Sequence, residues 1–248
     1  MLTSFIIYNI KNMKKRRSIH LFILSLIALS LSAQNEKNTF DSYAKFISKN
    51  LDITWKKPKR FIDLKTFTVW GPESQNHKSA FFYHTVLQSK DSNCLIMYPD
   101  IVSLVGINLH LDETLTRNQM INDINTALDL TNKRGIISKN LDTDIKKSIK
   151  TFTDKDAKKL FNADTVFIAP IPISNAYQGK YTYCTGVYIY KAKRPPMFIK
   201  CFFNEKGKNN ERQYLDMLYK TIKYRNDNWV LNEKSYPKEL KEFYSQTE

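Results

Sequence analysis

The chain has 248 residues, of which 42% are hydrophobic and 13% aromatic, and its formal net charge is +15 at pH 7. This amount of apolar material can form a buried core, which excludes intrinsic disorder as the main state. Six glycines and eight prolines exclude a collagen-like or low-complexity chain, and three cysteines are too few for a disulfide scaffold.

The first 33 residues have the pattern of a secretory signal peptide. A basic segment at 14–17 precedes an apolar stretch at 19–31, and the small residues Ser32 and Ala33 follow. The apolar stretch is shorter than the ~20 residues that a membrane-spanning helix needs. We therefore predict that residues 1–33 are a signal peptide, and that Met13 is the start that gives it ordinary proportions.

Excess positive charge also marks the predicted mature chain, residues 34–248. Removing the leader removes five basic residues and no acid, which lowers the formal net charge to +10. Lys and Arg are densest at 56–60 and in the window 191–225, which has ten basic residues and three acids. Scattered lysines of this kind are typical of a solvated surface, and the alternative is an acidic glycan or phospholipid headgroup as partner. Export argues against nucleic acid, and no second apolar run is long enough to span a membrane.

Hydrophobic periodicity predicts helices and short strands in the first half of the chain. In chain order these are a helix at 38–50, strands at 51–55 and 66–70, a hairpin of 80–88 with 93–98, and a helix at 117–130. Residues 101–111 are apolar and fit either a strand or a helix.

The second half repeats this mixture of helices and strands. We predict a helix capped by Thr153 and ending at Phe161, a strand at 165–169 stopped by Pro170, a hairpin of 181–190 with 197–203, a helix at 210–223, and a last helix from Ser235 to Tyr244. No internal repeat and no Gly/Ser/Pro-rich linker interrupts this order. Residues 34–248 are therefore predicted to form one α+β domain.

The C-terminal half contains three segments in a characteristic order: NADTVFI at 162–168, YTYCTG at 181–186, and the strand 197–203 leading to an amphipathic helix around 214–222. In these segments the chain resembles the PsbP-like family of α/β sandwich domains. The resemblance implies a central antiparallel sheet flanked by helices, an α/β/α sandwich. It also implies an accessory or binding role without a shared catalytic set.

The three cysteines, Cys94, Cys184 and Cys201, leave at least one thiol free or paired between chains. If Tyr190 pairs with Pro195 in the hairpin, Cys184 faces Cys201 on the adjacent strand, and a disulfide between them can close. A shift of one residue places the two side chains on opposite faces. The two cysteines are then small buried residues instead.

The same hairpin is rich in aromatic residues. The pairing of Tyr190 with Pro195 places Tyr188 and Tyr190 on one face of the hairpin. We predict that these two tyrosines form an exposed platform for a glycan, lipid or protein partner, because tyrosine is common at binding surfaces. The alternative is that helices cover both faces of the sheet.

No motif in the sequence fixes a reaction. There is no GxSxG segment, no glycine-rich phosphate loop and no CxxC pair. We predict a non-enzymatic binding or accessory protein of the cell envelope, with no cofactor and no metal. The alternative is a hydrolase of cell-envelope or extracellular polymers that uses two or three groups from one small set. That set is His84, Asp100, His110, Asp112 and Glu113.

Overall fold

The computed structural model describes residues 40–76, 78–102, 113–129 and 143–245. The predicted signal peptide lies outside these ranges, as do His110 and Asp112. The helices are α1 (Phe40–Asn50), α2 (Glu113–Ala127), α3 (Thr143–Ser148), α4 (Asp154–Phe161), α5 (Glu205–Asn209), α6 (Glu211–Tyr219) and α7 (Tyr236–Ser245). The strands are β1 (Ile53–Trp55), β2 (Phe61–Asp63), β3 (Thr68–Trp70), β4 (Phe81–Ser89), β5 (Cys94–Pro99), β6 (Lys150–Thr151), β7 (Thr165–Ile171), β8 (Tyr183–Tyr190), β9 (Met197–Phe203) and β10 (Ile222–Tyr224).

One antiparallel sheet of eight strands organises the described part of the chain. The strand order is β2-β4-β5-β9-β8-β7-β6, and β3 pairs with β4 beside β2. Strands β1 and β10 form a separate antiparallel pair. This pair joins an early and a late segment of the described sequence.

Alternate residues of the central strands face opposite sides of the sheet, as the pleat requires. From β9, Ile199 enters a core that includes residues of α1, α4 and α6 and of the β1–β10 pair. Phe198 and Phe202 enter a second core on the other side, where Met120 and Ile124 of α2 pack. The sheet is thus flanked by helices on both faces of one compact domain, and the predicted α+β sandwich is confirmed.

Local sequence signals locate several elements correctly. Thr153 caps α4, because its hydroxyl accepts a hydrogen bond from the amide of Asp156. The hairpin of β4 and β5 and the final helix α7 form where periodicity and turn residues predict them.

Two of the predicted element ends are wrong for reasons that the strand pairing makes clear. Strand β7 continues through Pro170 to Ile171. It pairs with β6 only at Phe167 and Ile168, so beyond this point it has β8 as its single described neighbour, and an edge strand tolerates proline. The helix predicted to end at residue 223 ends at Tyr219 instead. The next residues form β10, because pairing with β1 buries Ile222 in the first core.

The register of the β8–β9 hairpin differs by one residue from the register that would allow a disulfide. Cys184 pairs with Phe202, and Cys201 pairs with Thr185. A shift of one residue reverses the face to which a side chain points. Cys184 therefore lies in the second core and Cys201 in the first. The predicted disulfide is wrong, and all three cysteines are buried free thiols.

Candidate functional site

The two lysine-rich segments of the sequence meet in space at the β1–β10 pair. Trp55 pairs with Ile222, and the backbone amide of Lys56 donates to the carbonyl of Thr221 at 2.9 Å. This pairing creates a surface that we call the basic face, formed by Lys45, Lys56, Lys57, Lys59, Arg60, Arg212, Lys220, Lys223 and Arg225. All nine side chains belong to exposed residues.

Few acids neutralise the basic face. Arg212 lies 4.0 Å from Asp216, and Arg225 lies 3.0 Å from Asp52. Six of its cations make no ion pair and no side-chain hydrogen bond with another residue of the described ranges; they are Lys45, Lys56, Lys57, Lys59, Arg60 and Lys220. Unpaired like charges raise the local positive potential, which attracts anions.

The larger of two grooves on the basic face has a volume of about 690 Å³. This volume lies within the range of ~300–1,000 Å³ that is usual for ligand sites. The lining combines four cations with three amides, one acid and one methionine. These residues are Lys59, Arg60, Arg212, Lys220, Asn209, Asn210, Gln213, Asp216 and Met217.

A smaller groove of about 400 Å³ lies beside Thr54 and Trp55 of β1. Its cations are Lys45, Lys56 and Arg225, and Ser48 and Thr54 contribute hydroxyl groups. Lys56 lines this groove and Lys59 lines the larger one, so their Cα atoms are at most about 11 Å apart. The two grooves are therefore neighbours.

The backbone at Arg60 is unusual for an arginine. Its φ is +69°, in the left-handed region that favours glycine. Such a conformation costs a non-glycine residue ~1–2 kcal/mol. Arg60 therefore places a cation in the lining of the larger groove despite this conformational cost.

The predicted tyrosine platform does not form. Tyr188 is 0% exposed, and its hydroxyl donates to Asp123 Oδ2 at 2.6 Å. The Lys200 ammonium group donates to the same oxygen at 2.6 Å and to the Tyr188 hydroxyl at 2.9 Å. Helix α2 covers this face of the sheet, so Tyr188 links the sheet to the helix. Tyr190 is only partly exposed, at the end of β8.

Gly186 makes room for the tyrosine ring. A Cβ atom at this position would lie 2.4 Å from Cε2 of Tyr188. Burial and the neighbouring Asp123 carboxylate raise the pKa of Tyr188 well above its ordinary value. The phenol is therefore neutral and acts as a hydrogen-bond donor to the Asp123–Lys200 ion pair, both of whose side chains are nearly inaccessible.

The sequence contains one signal of this buried ion pair, although the signal belongs to no known motif. Lys200 interrupts the apolar run MFIKCFF, and a lysine in a buried strand needs a charged or polar partner. The identity of that partner was not visible, since Asp123 lies far away in the sequence on α2.

The structure places two of the five hydrolase candidates near one tyrosine. The Tyr43 ring stacks on His84 with 3.8 Å between centroids, and its hydroxyl donates to Asp100 Oδ1 at 3.3 Å. Both candidates are buried, and neither lines one of the two grooves. Glu113 is the first residue of α2, and the structure does not describe its side chain. The hydrolase alternative stays a prediction.

Within the described ranges, no group of three or more His, Cys, Asp or Glu side chains is arranged to hold a metal ion. The same part of the chain contains no helix with the length and apolarity needed to cross a bilayer. Comparisons with protein-family models, with curated proteins and with solved structures give no match to this chain. The resemblance to the PsbP-like family therefore stays a prediction.

Proposed function

We propose that this protein is an exported, non-enzymatic binding protein that holds an anionic component of the cell envelope on its basic face. The single observation that supports this function best is the convergence of 56–60 with 212–225 around an open groove. Four cations line that groove against one acid. The PsbP-like resemblance, with its implied accessory role, and the signal-peptide pattern agree with the proposal.

Arg60 offers a sharp test, because glycine satisfies its backbone conformation. Arg60→Gly removes one cation from the larger groove and is expected to change the free energy of unfolding by less than about 1 kcal/mol. The matched control is Lys193→Gly. Lys193 is also exposed with a positive φ of 60°. It precedes Arg194, which bonds to the carbonyls of Leu51 and Asp52 at the opposite end of the β1–β10 pair.

The measurement is a thermal-shift panel of residues 34–248 with anionic glycans, anionic lipid dispersions and neutral glycans. A ligand at about 100 times its Kd adds ~2.7 kcal/mol to stability, which is a clear rise in Tm. We expect a shift with anionic ligands only, a decrease of the shift at high salt, and a weaker shift for Arg60→Gly but not for Lys193→Gly or Tyr188→Phe. A flat panel, or an equal response to neutral glycans, would overturn the proposal.

Export is tested separately in cells. Expression of the full chain followed by fractionation and N-terminal mass spectrometry should find a chain that begins near residue 34 outside the cytoplasm. A cytoplasmic chain that retains residues 14–31 would contradict the export component.

A further inference from the structure

The chemistry of the larger groove is more specific than positive charge alone. Besides its cations it presents three amide side chains, Asn209, Asn210 and Gln213. Amides donate and accept hydrogen bonds, as hydroxyl groups do, whereas cations pair with carboxylates or sulfates. A ligand that carries both hydroxyl and anionic groups therefore satisfies more of this lining than a simple anion.

Two of these amides are available to a ligand. The side chains of Asn209 and Gln213 are exposed and make no hydrogen bond with another residue in the described part of the chain. Asn210 uses its Nδ2 to donate to the carbonyl of Lys206 at 2.9 Å, which leaves its oxygen as an acceptor.

We propose that the ligand of the basic face is a linear acidic polysaccharide whose chain crosses from the larger groove to the smaller groove. This inference rests on the proposed function and adds the ligand class and its path. A small anion occupies one groove, whereas a chain with repeated charges engages both grooves at once. Linked binding of this kind raises the apparent affinity by ~10²–10⁴-fold without any new type of contact.

The lining argues against a single-stranded nucleic acid as the ligand. Proteins that hold single-stranded nucleic acid stack its bases on exposed aromatic side chains. Among the residues that the structure describes, none that lines the larger groove is aromatic. The smaller groove is lined by Trp55, which is only 3% exposed and offers no stacking surface.

The lining also favours a polysaccharide over a membrane surface. Basic proteins that bind bilayers commonly insert apolar side chains beside their lysines. In the described part of the chain, the large hydrophobic residues that are exposed are Ile62 and Val230, and neither lines a groove.

The decisive experiment is a length series with defined probes on residues 34–248. Galacturonic acid and its oligomers of about two, four and eight residues are titrated calorimetrically at low salt. We expect the affinity per molecule to rise at least about tenfold from the dimer to the octamer. The double variant Lys45→Ser/Lys56→Ser, which removes two cations of the smaller groove, should remove this gain, so that the octamer then binds with nearly the affinity of the dimer. Lys193→Gly is the control.

Parallel probes separate the ligand classes. Polyphosphate of similar length has the charges but not the hydroxyl groups. The double variant Asn209→Ala/Gln213→Ala should therefore lower the affinity for the galacturonate octamer about tenfold more than the affinity for polyphosphate. Phosphatidylglycerol vesicles and an oligothymidylate of similar charge complete the set. Tighter binding of either of these two than of the octamer would overturn the polysaccharide inference.

The outcomes also separate this inference from the proposed function. If anion binding depends on Arg60 but not on oligomer length, the proposed anion-binding function stands. The inference of a polysaccharide that spans both grooves is then wrong. Absence of binding to every anionic probe would reject both.

Discussion

His84 is a residue whose burial predicts a pH effect. It is 3% exposed, and neither ring nitrogen has a hydrogen-bond partner in the part of the chain that the structure describes. Burial lowers the pKa of His84 to about 4, and the carboxylates of Asp100 and Asp63 offset only part of this effect. The folded state therefore requires a neutral imidazole.

The pKa of His84 is lower in the folded chain than in the unfolded chain, where it is near 6.5. Its contribution to stability is thus complete above pH 6.5 and is lost as the pH falls to about 4. The expected loss is ~3 kcal/mol across this window. Urea unfolding at pH 7 and pH 4.5 measures it. His84→Phe, which keeps an aromatic ring against Tyr43, should lose less stability on acidification than the wild type. An equal loss in both proteins would contradict this assignment.

At the scale of elements, the Asp123–Lys200 ion pair attaches α2 to the sheet. Removing either partner leaves the other charge buried and unpaired, which typically costs 3–5 kcal/mol, whereas removing both with apolar residues restores much of the stability. We expect Asp123→Leu and Lys200→Met each to be destabilised by ~3–5 kcal/mol, and the double variant to be more stable than their added effects predict.

A double-mutant cycle of urea unfolding provides the coupling energy of this pair. Lys147→Met is the matched control, since Lys147 is 73% exposed and pairs with Asp144 on the surface, and its change should stay below ~0.5 kcal/mol. Additive effects at Asp123 and Lys200 would show that the pair does not act as a unit.

Arg194 holds the β8–β9 turn against the β1–β10 pair. It is 1% exposed, and its guanidinium donates to the carbonyls of Leu51 at 2.7 Å, Asp52 at 2.9 Å and Asn226 at 2.7 Å. The same group lies 4.4 Å from the centroid of the Trp229 ring. A lysine cannot reproduce this planar set of donors.

We therefore expect Arg194→Lys to destabilise the domain by ~3 kcal/mol, because hydrogen bonds to charged groups contribute ~1.5–3 kcal/mol each. Thermal unfolding measures the change. Arg212→Lys, at a side chain that is 96% exposed, should have little effect on stability. Equal Tm values for the two variants would show that Arg194 has no anchoring role.

At the scale of the whole molecule, the three cysteines should respond as one class. All are buried, and burial raises the pKa of each thiol. A high pKa together with inaccessibility suppresses thiolate reactions. The native protein, purified without reductant, should not react with Ellman's reagent, and the urea-unfolded protein should release three equivalents. Release of only one would indicate a disulfide that the register of β8 and β9 does not allow.

The basic face is also a property of the whole molecule. Residues 56–60 and 212–225 are separately rich in lysine and arginine in the sequence, where a solvated surface was the first interpretation. These two segments lie together because β1 pairs with β10, and each of these strands has only three residues. Elements this short have almost no periodicity, so their partners could not be predicted from the sequence.

The α+β class, the cap at Thr153 and the β4–β5 hairpin are predictable from the sequence, because these depend on residues a few positions apart. Tertiary packing alone sets the register of β8 with β9. It thereby decided that Tyr188 contacts a buried ion pair, and that Cys184 and Cys201 lie on opposite faces. The physical reason is that a one-residue shift changes no local propensity but exchanges the two faces of a strand. The free energy of packing across the whole sheet therefore selects one register of β8 with β9 over the other.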